Sequence, residues 1–306
     1  QHWQSVIVGQ HTVCEKILMA LIANGHVLLE GVPGLAKTLI ISTLAKLLGG
    51  QYKRIQFTPD MLPSDIVGTQ IYNTATQKFE PKQGPIFAQF VLADEINRAP
   101  AKVQSALLEA MQERQVTLGT QTFALPQPFF VLATQNPIDQ DGTYPLPEAQ
   151  MDRFIIKTVL TYPSNEEEKQ IIQRFQTGFP KIQQPAVSID TITQAQQLAN
   201  NVYIDEKVSE YVIRLIDATR NPQEHGLSEL VSYIRCGASP RATLAFIGLA
   251  KAYAFLQRRN YVIPEDIKYV AHDVLRHRIL LTFAAEAESI NSDKVIDTIL
   301  GSIEVP

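Results

Sequence analysis

Gly31-Val32-Pro33-Gly34-Leu35-Ala36-Lys37-Thr38 decides how this chain is read. The octet follows an apolar run, His26 to Glu30, and opens a second one, Thr38 to Leu48, which stops at Gly49-Gly50 as a buried helix does. Strand, glycine-bearing turn and helix in that order give the context of a phosphate-binding loop. Backbone N–H groups of the turn and helix start face an anion, Lys37 reaches the β and γ phosphates, and the Thr38 hydroxyl can ligate Mg²⁺. Nucleotide contacts are therefore assigned to Gly31, Val32, Pro33, Gly34, Leu35, Ala36, Lys37, Thr38 and Leu39. Ala36 stands where the general pattern has Gly, and a methyl there is tolerable only if the local φ stays negative. The plainer reading is a Gly-Pro turn with an incidental lysine. It leaves the joint placement of strand, Gly34, Lys37, Thr38 and helix unexplained.

Around this octet, short apolar runs alternate with helical patterns. Candidate strands are His26 to Glu30, Arg54 to Phe57, Phe90 to Asp94, Phe129 to Thr134 and Phe154 to Leu160, enough for an open parallel sheet covered by helices. Lys102 to Arg114 reads as a helix, and Gln115 to Leu118 with Thr122 to Leu125 as a hairpin around Gly119-Thr120-Gln121. The stretch 58–85 carries Pro59, Pro63, Gly68, Pro81, Gly84 and Pro85, which is too long and too punctuated for an ordinary connection. It reads as a functional insertion. After Pro163 the pattern changes: Ser164 can cap a helix whose Glu166-Glu167-Glu168 suits the positive end of the dipole. Helical periodicity then fills Glu206 to Arg220, Pro240 to Arg259, Pro264 to Arg278 and Asp293 to Leu300, with Pro222 to Gly226 as a polar loop. Two domains are expected, an α/β nucleotide-binding core over 1–162 and an all-α domain over 163–306.

The 306 residues, 45% hydrophobic and 19% charged, are enough to bury two cores and exclude a disordered chain. With 27 Lys and Arg against 31 Asp and Glu, the net charge of -4 argues against a mainly electrostatic grip on nucleic acid. Cys14 and Cys236 are the only cysteines, which supports neither a disulfide framework nor a thiolate zinc site and fits a reducing cytoplasm. Uncharged apolar stretches such as Ile17 to Ala23 fall far short of the ~20 residues that span a bilayer. The chain opens without an initiator Met, so a preceding segment is expected and no targeting signal is judged.

Val91-Leu92-Ala93-Asp94-Glu95 is a second apolar strand, and it ends in two acids. In a parallel sheet it emerges at the same edge as the phosphate loop. Asp94 would hold Mg²⁺, directly or through water, and Glu95 would polarise the attacking water. Alone, the pair would read as two solvated acids. The fourth strand ends in Ala133-Thr134-Gln135-Asn136-Pro137, whose Asn136 could orient the water; in isolation Asn-Pro is a turn.

Gly31 to Thr38, Leu92 to Pro100, Ala133 to Pro137 and Leu146 to Phe154 together closely resemble the MoxR family of AAA+ ATPases. The likeness is dense over 5–160 and continues at Ser239-Pro240-Arg241-Ala242 and Val262 to Ile267. It implies a P-loop core with an all-α lid and homo-oligomeric rings, hexamers, whose ATP sites lie between subunits. By that resemblance Arg153 matches the arginine finger reaching a neighbour's γ phosphate, and Arg241 the sensor 2 arginine at the start of a lid helix. Plainer readings are an ion pair of Arg153 with Glu148 or Asp152 and a solvated helix start at Arg241. Whether Arg241 acts in cis or in trans stays open; Arg98 is a further candidate. The stretch 58–85 matches an insertion that interrupts helix 2 in this branch, either a substrate contact or a loop packed on its own domain. His26 reads as a strand start and His272, Arg276, His277 and Arg278 as one helix face. No spacing suggests a metal beyond nucleotide-bound Mg²⁺.

The resemblance implies an ATPase that remodels or matures a protein client in chaperone fashion, in company with von Willebrand factor A partners. A nucleotide-gated adaptor with negligible turnover is the alternative, and it has no need of a base at Glu95. A DNA-remodelling motor is disfavoured by the acidic balance and the lack of a basic, aromatic-lined stripe. A small-molecule kinase would leave Asn136, Arg153 and the helical second domain unexplained.

Overall fold

Phe90 to Asp94 is buried at every position and Phe130 to Ala133 likewise, the pattern of central strands covered on both faces. The computed structural model describes residues 3, 6–32, 34–137, 143–178 and 185–306. Along the chain α1 (His11–Ile22) leads to β1 (Val27–Glu30), α2 (Lys37–Leu48), β2 (Tyr52–Gln56), α3 (Pro63–Val67), β3 (Gly68–Asn73), β4 (Lys78–Gln83) and β5 (Phe90–Asp94). Next come α4 (Ala101–Glu113), the hairpin β6 (Gln115–Leu118) and β7 (Gln121–Ala124), β8 (Phe130–Gln135), α5 (Glu148–Met151) and β9 (Ile156–Val159). The five-stranded sheet has the order β2-β5-β8-β1-β9, with parallel ladders β2 to β5, β5 to β8 and β8 to β1. Gln56 pairs with Asp94, Ala93 with Ala133 and Glu30 with Gln135, so the carboxyl ends of four strands lie side by side. Edge strand β2 buries only Ile55 fully, which frees Arg54 and Gln56 to project beside Asp94.

Beyond β9 the elements are α6 (Asn165–Thr177), α7 (Ile189–Asn200), α8 (Glu206–Arg220), β10 (Ile234–Cys236), α9 (Pro240–Leu256), α10 (Pro264–Leu275), β11 (Leu280–Leu281), α11 (Phe283–Ala287) and α12 (Ser292–Ser302). The fold is thus the α/β core with a helical lid. Ser164 opens α6 through a capping box in which Glu167 Oε2 accepts from the Ser164 N–H at 2.7 Å. α8 buries Val208, Tyr211, Val212, Leu215, Ile216 and Thr219, the spacing of one helical face. The only strand pairing the described lid residues add is the ribbon of β10 with β11 and a single bridge, Tyr203 with Tyr261. Strands of three and two residues are too short to show a period of two, so the sequence gives no sign of them.

The described residues form two compact units, one from 1–18, 26–150 and 158–193 and the other from 19–25, 151–157 and 194–306. The expected division at 162/163 falls inside the first unit, because α6 and the start of α7 cluster there. Within the insertion, β3 and β4 pair antiparallel, with Tyr72 opposite Phe79 and their rings edge-on at 5.3 Å. One expectation is corrected in the second unit. The helix that was to run to Arg278 ends at Leu275, and His277 and Arg278 are buried beyond it rather than lying on a helix face. No helix among the described residues is long and apolar enough to cross a membrane.

His26 does more than begin a strand. Its buried ring accepts the Val131 N–H at Nδ1, 3.1 Å, which leaves the proton on Nε2 to meet the Met111 carbonyl at 3.2 Å. Burial, which disfavours the imidazolium, lowers its pKa from 6.5 to about 4, and protonation of Nδ1 would also cancel the Val131 bond. The unfolded chain therefore binds the extra proton first as pH falls below 6.5. Stability is full above that value and declines down to about pH 4, by about 3 kcal/mol for this one ring. Urea unfolding at stepped pH should show that slope, and His26→Gln should flatten it while leaving the parallel contribution of buried His277 in place.

Candidate active site

Backbone approach dictates the first residue of the loop. Gly31 follows β1 directly, and a Cβ there would stand 2.9 Å from the Leu160 Cβ. Gly34 has φ +91°, and a Cβ on it would meet nothing within 4 Å, so the loop opens on free space at that point. Leu35 and Lys37 are buried, Val32 and Thr38 are half-buried, and Leu39 is exposed; Pro33 lies outside the described residues. Ala36 corrects the sequence reading. Its φ is +56°, left-handed, and it caps α2 with its carbonyl accepting the Ile40 N–H at 3.0 Å. The turn from loop to helix needs that handedness, so the alanine carries strain of about 1 kcal/mol that a glycine would not.

Lys37 folds back to donate from Nζ to the Gly31 carbonyl at 2.6 Å. Desolvation lowers its pKa, while the charges of Asp94 and Glu95 act in the opposite direction, which puts both acids within electrostatic reach of the ammonium. Asp94 is buried at the end of β5. Its Oδ1 accepts from Thr134 Oγ1 at 2.7 Å, and its Oδ2 accepts from Arg54 Nη2 at 2.6 Å and Nε at 3.1 Å. The Thr134 hydroxyl in turn accepts the Glu95 N–H at 2.8 Å, tying both acids to the adjacent strand. Glu95 is left-handed too, φ +57°, at the entry to a 3-10 turn over Ile96–Arg98. Its Oε2 receives Gln56 Nε2 at 3.1 Å and Arg98 Nη1 at 3.2 Å. Arg98, a bare candidate in the sequence, thus stands against Glu95.

Asn136 leaves β8 beside these groups, and its carbonyl accepts from Asn97 Nδ2 at 3.2 Å. Gln104 is fully buried on α4 and donates to the carbonyls of Ile96, Ala99 and Tyr144 at 3.2, 3.1 and 2.9 Å, fixing the chain just past Glu95. The sequence reading missed Arg54, Gln56, Gln104 and Thr134 as site residues. Thr134 had a signal: it lies one step beyond the Ala93 to Ala133 pair, hence level with Asp94.

Arg153 and Arg241 belong to the second unit. Ser239 caps α9, accepting the Arg241 N–H at 3.1 Å, and Arg241 Nη1 stands 3.8 Å from Asp152 Oδ2. The Asp152 carboxylate is engaged by Arg278 Nε at 2.7 Å and Ser239 Oγ at 2.7 Å, while Arg153 Nε is buried with no hydrogen-bond partner. Among the described residues no group of three or more His, Cys, Asp or Glu side chains could hold a metal. One buried carboxylate, Asp94, and one hydroxyl, Thr38, fit Mg²⁺, a hard cation that keeps phosphate and water as most of its ligands.

Residues 26–156 match the family described as "ATPase family associated with various cellular activities (AAA)", and residues 231–299 match "AAA lid domain". Chaperone MoxR1 of Mycobacterium tuberculosis is 49% identical over 98% of this chain and 80% of its own length. Protein MoxR of Paracoccus denitrificans is 32% identical over 98% of this chain and 93% of its own. The crystal structure of an inferred ATPase from Cytophaga hutchinsonii superposes with a TM-score of 0.94 at 51% identity, covering 100% of this chain and 93% of that one.

Replacing the left-handed alanine tests the strain directly. Ala36→Gly is expected to raise the unfolding free energy by about 0.5–1 kcal/mol, and Ala36→Val to lower it by more than that, both read from urea denaturation midpoints.

Proposed function

The chain belongs to the MoxR family of AAA+ ATPases, and from that membership we propose that it hydrolyses ATP with Mg²⁺ to remodel, assemble or mature a protein client. The observation that carries the reading is the joint anchoring of Asp94 and Glu95 by the Thr134 hydroxyl, level with the loop that holds Lys37. Lys37 leaves the Gly31 carbonyl for the β and γ phosphates of ATP, a stronger acceptor for a desolvated ammonium. Gly31 to Leu39 cradle the phosphates with N–H groups, Pro33 supplying none of its own. Thr38 and Asp94 hold Mg²⁺, which when bound neutralises charge on the phosphates. Glu95, oriented by Gln56 and Arg98, takes the proton of the attacking water, and Asn136 orients that water. Arg153 reaches the γ phosphate of a neighbouring subunit in a homo-oligomeric ring, a hexamer, and Arg241 serves as the second arginine. The core over 1–162 carries the nucleotide and the lid over 163–306 follows its state, in the cytoplasm and without nucleic acid.

The insertion at 58–85 supplies the client contact. Ile71, Tyr72 and Phe79 on its hairpin are 45%, 50% and 66% exposed, an apolar group too wet to serve only the fold. Its charges are mixed, Asp60, Asp65 and Glu80 against Lys78 and Lys82, which suits a protein better than a phosphate backbone. A von Willebrand factor A protein is a fitting partner class.

Two experiments follow from this reading. Lys37→Ala should weaken ATP binding about 100-fold, and Glu95→Gln should keep binding while slowing phosphate release about 10²–10⁴-fold. Full turnover by Glu95→Gln would remove the general-base role from Glu95, whereas negligible turnover by the parent chain would favour the nucleotide-gated adaptor. Tyr72→Ser with Phe79→Ser should leave basal hydrolysis and melting temperature unchanged while abolishing stimulation by client; a joint fall of basal rate and melting temperature would make the hairpin a structural element.

A further inference from the structure

Residues 152–155 belong to no helix or strand, yet carbonyls of the segment 152–157 are met by three consecutive side chains beyond the end of α10. Arg278 donates to the carbonyls of Asp152, Phe154 and Ile155 at 3.3, 2.7 and 3.1 Å, and its Nε donates to Asp152 Oδ1 at 2.7 Å. A fifth bond, to the Val274 carbonyl at 2.6 Å, ties the guanidinium to α10 itself. His277 Nε2 adds a contact to the Phe154 carbonyl at 3.0 Å, and Arg276 donates to the Lys157 carbonyl at 3.1 Å while paired with Asp293. The Arg278 side chain is 2% exposed. A fork with its donors spent on one carboxylate and four carbonyls is a rigid bracket, which lysine, a single point of charge, would not reproduce.

Arg153 lies between the two residues this bracket grips most closely. Its neighbours in sequence, Asp152 and Phe154, both accept from Arg278, while its own Nε is left without a hydrogen-bond partner. The same Asp152 carboxylate takes the Ser239 hydroxyl at the cap of α9 and stands 3.8 Å from Arg241. We propose that Arg278 and Asp152 are positioning residues for ATP hydrolysis: they fix the backbone on either side of Arg153, so that this arginine is presented in one orientation. This rests on the reading of Arg153 as the residue that completes a neighbour's site. Asp152 is an ionic hub and not a partner of the finger, and the finger's aim is set by the second unit.

Asp152→Asn preserves volume and Arg278→Lys preserves charge, and both are assayed in the full chain beside Arg153→Ala. Folding is followed by thermal melting, affinity by a fluorescent ATP analogue, and turnover by phosphate release. Folded Asp152→Asn and Arg278→Lys are expected to bind the analogue within 2-fold of the parent and to lose 10-fold or more in kcat. Asp152→Asn combined with Arg153→Ala should turn over no more slowly than Arg153→Ala alone, since a positioning residue has nothing left to position; multiplied losses would mean a general structural role and overturn the proposal. Mixed with Lys37→Ala subunits, Asp152→Asn should regain activity as Arg153→Ala does, because the Lys37→Ala copies present an intact finger to an intact loop. If Arg153→Ala keeps the parent rate, the finger reading itself is wrong. If Arg153→Ala is inactive and the folded Asp152→Asn protein is not slowed, the finger stands and the bracket fails. Should Arg278→Lys not fold, the Asp152→Asn series decides alone.

Discussion

A carboxylate taken out of water must be met by donors or cations, and the burial of Asp94 sets that demand at the carboxyl edge of the sheet. Thr134 and Arg54 meet it from the strands on either side, so three strand ends, β2, β5 and β8, are pinned to one side chain. Lys37 completes the pattern with opposite sign, desolvated yet within the field of both acids. Charges alternate from Arg54 through Asp94 and Lys37 to Glu95 and Arg98, each restrained by a neighbour before any phosphate arrives. Preorganised dipoles and charges of this kind are effective because little reorganisation remains for the reaction step.

Two residues bear the strain of that arrangement. Ala36 and Glu95 are both left-handed without being glycine, Ala36 where the loop hands over to α2 and Glu95 where β5 hands over to a 3-10 turn. One turns the helix start toward the loop, and the other turns a carboxylate out of the strand direction. Left-handed non-glycine residues persist only where surrounding contacts fix them, here the Ile40 N–H on Ala36 and the Thr134 hydroxyl on the Glu95 N–H.

The strands β1, β5 and β8 were legible because each is an apolar run between turn residues, and Gly31 to Thr38 because strand, turn and helix fall in sequence. Arg54, Gln56 and Gln104 were not, since their significance comes from which strand lies beside which, and a parallel sheet pairs β5 with strands far away in sequence. The sign of φ at Ala36 was misjudged by weighing the methyl group alone, when loop geometry outweighs about 1 kcal/mol of local preference. Past Leu275 the apolar spacing continued into Ile279, so the sequence kept the helix running through Arg278; what ended it is the claim that backbone carbonyls of residues 152–157 make on those side chains. Such long-range demands leave no periodic trace.

The β3 and β4 hairpin also bears on solubility. A two-stranded ribbon leaves an unpaired edge on each strand, and edges with aromatic residues nearby are templates on which copies of a chain stack into fibrous aggregates. β4 carries Lys78, Glu80 and Lys82 at alternate positions and Pro81 among them, so its run lacks one backbone donor and meets any incoming strand with charge. Along β4 the ribbon can offer an aromatic side chain to another surface without recruiting a third strand, so that edge can stand exposed in a crowded solution.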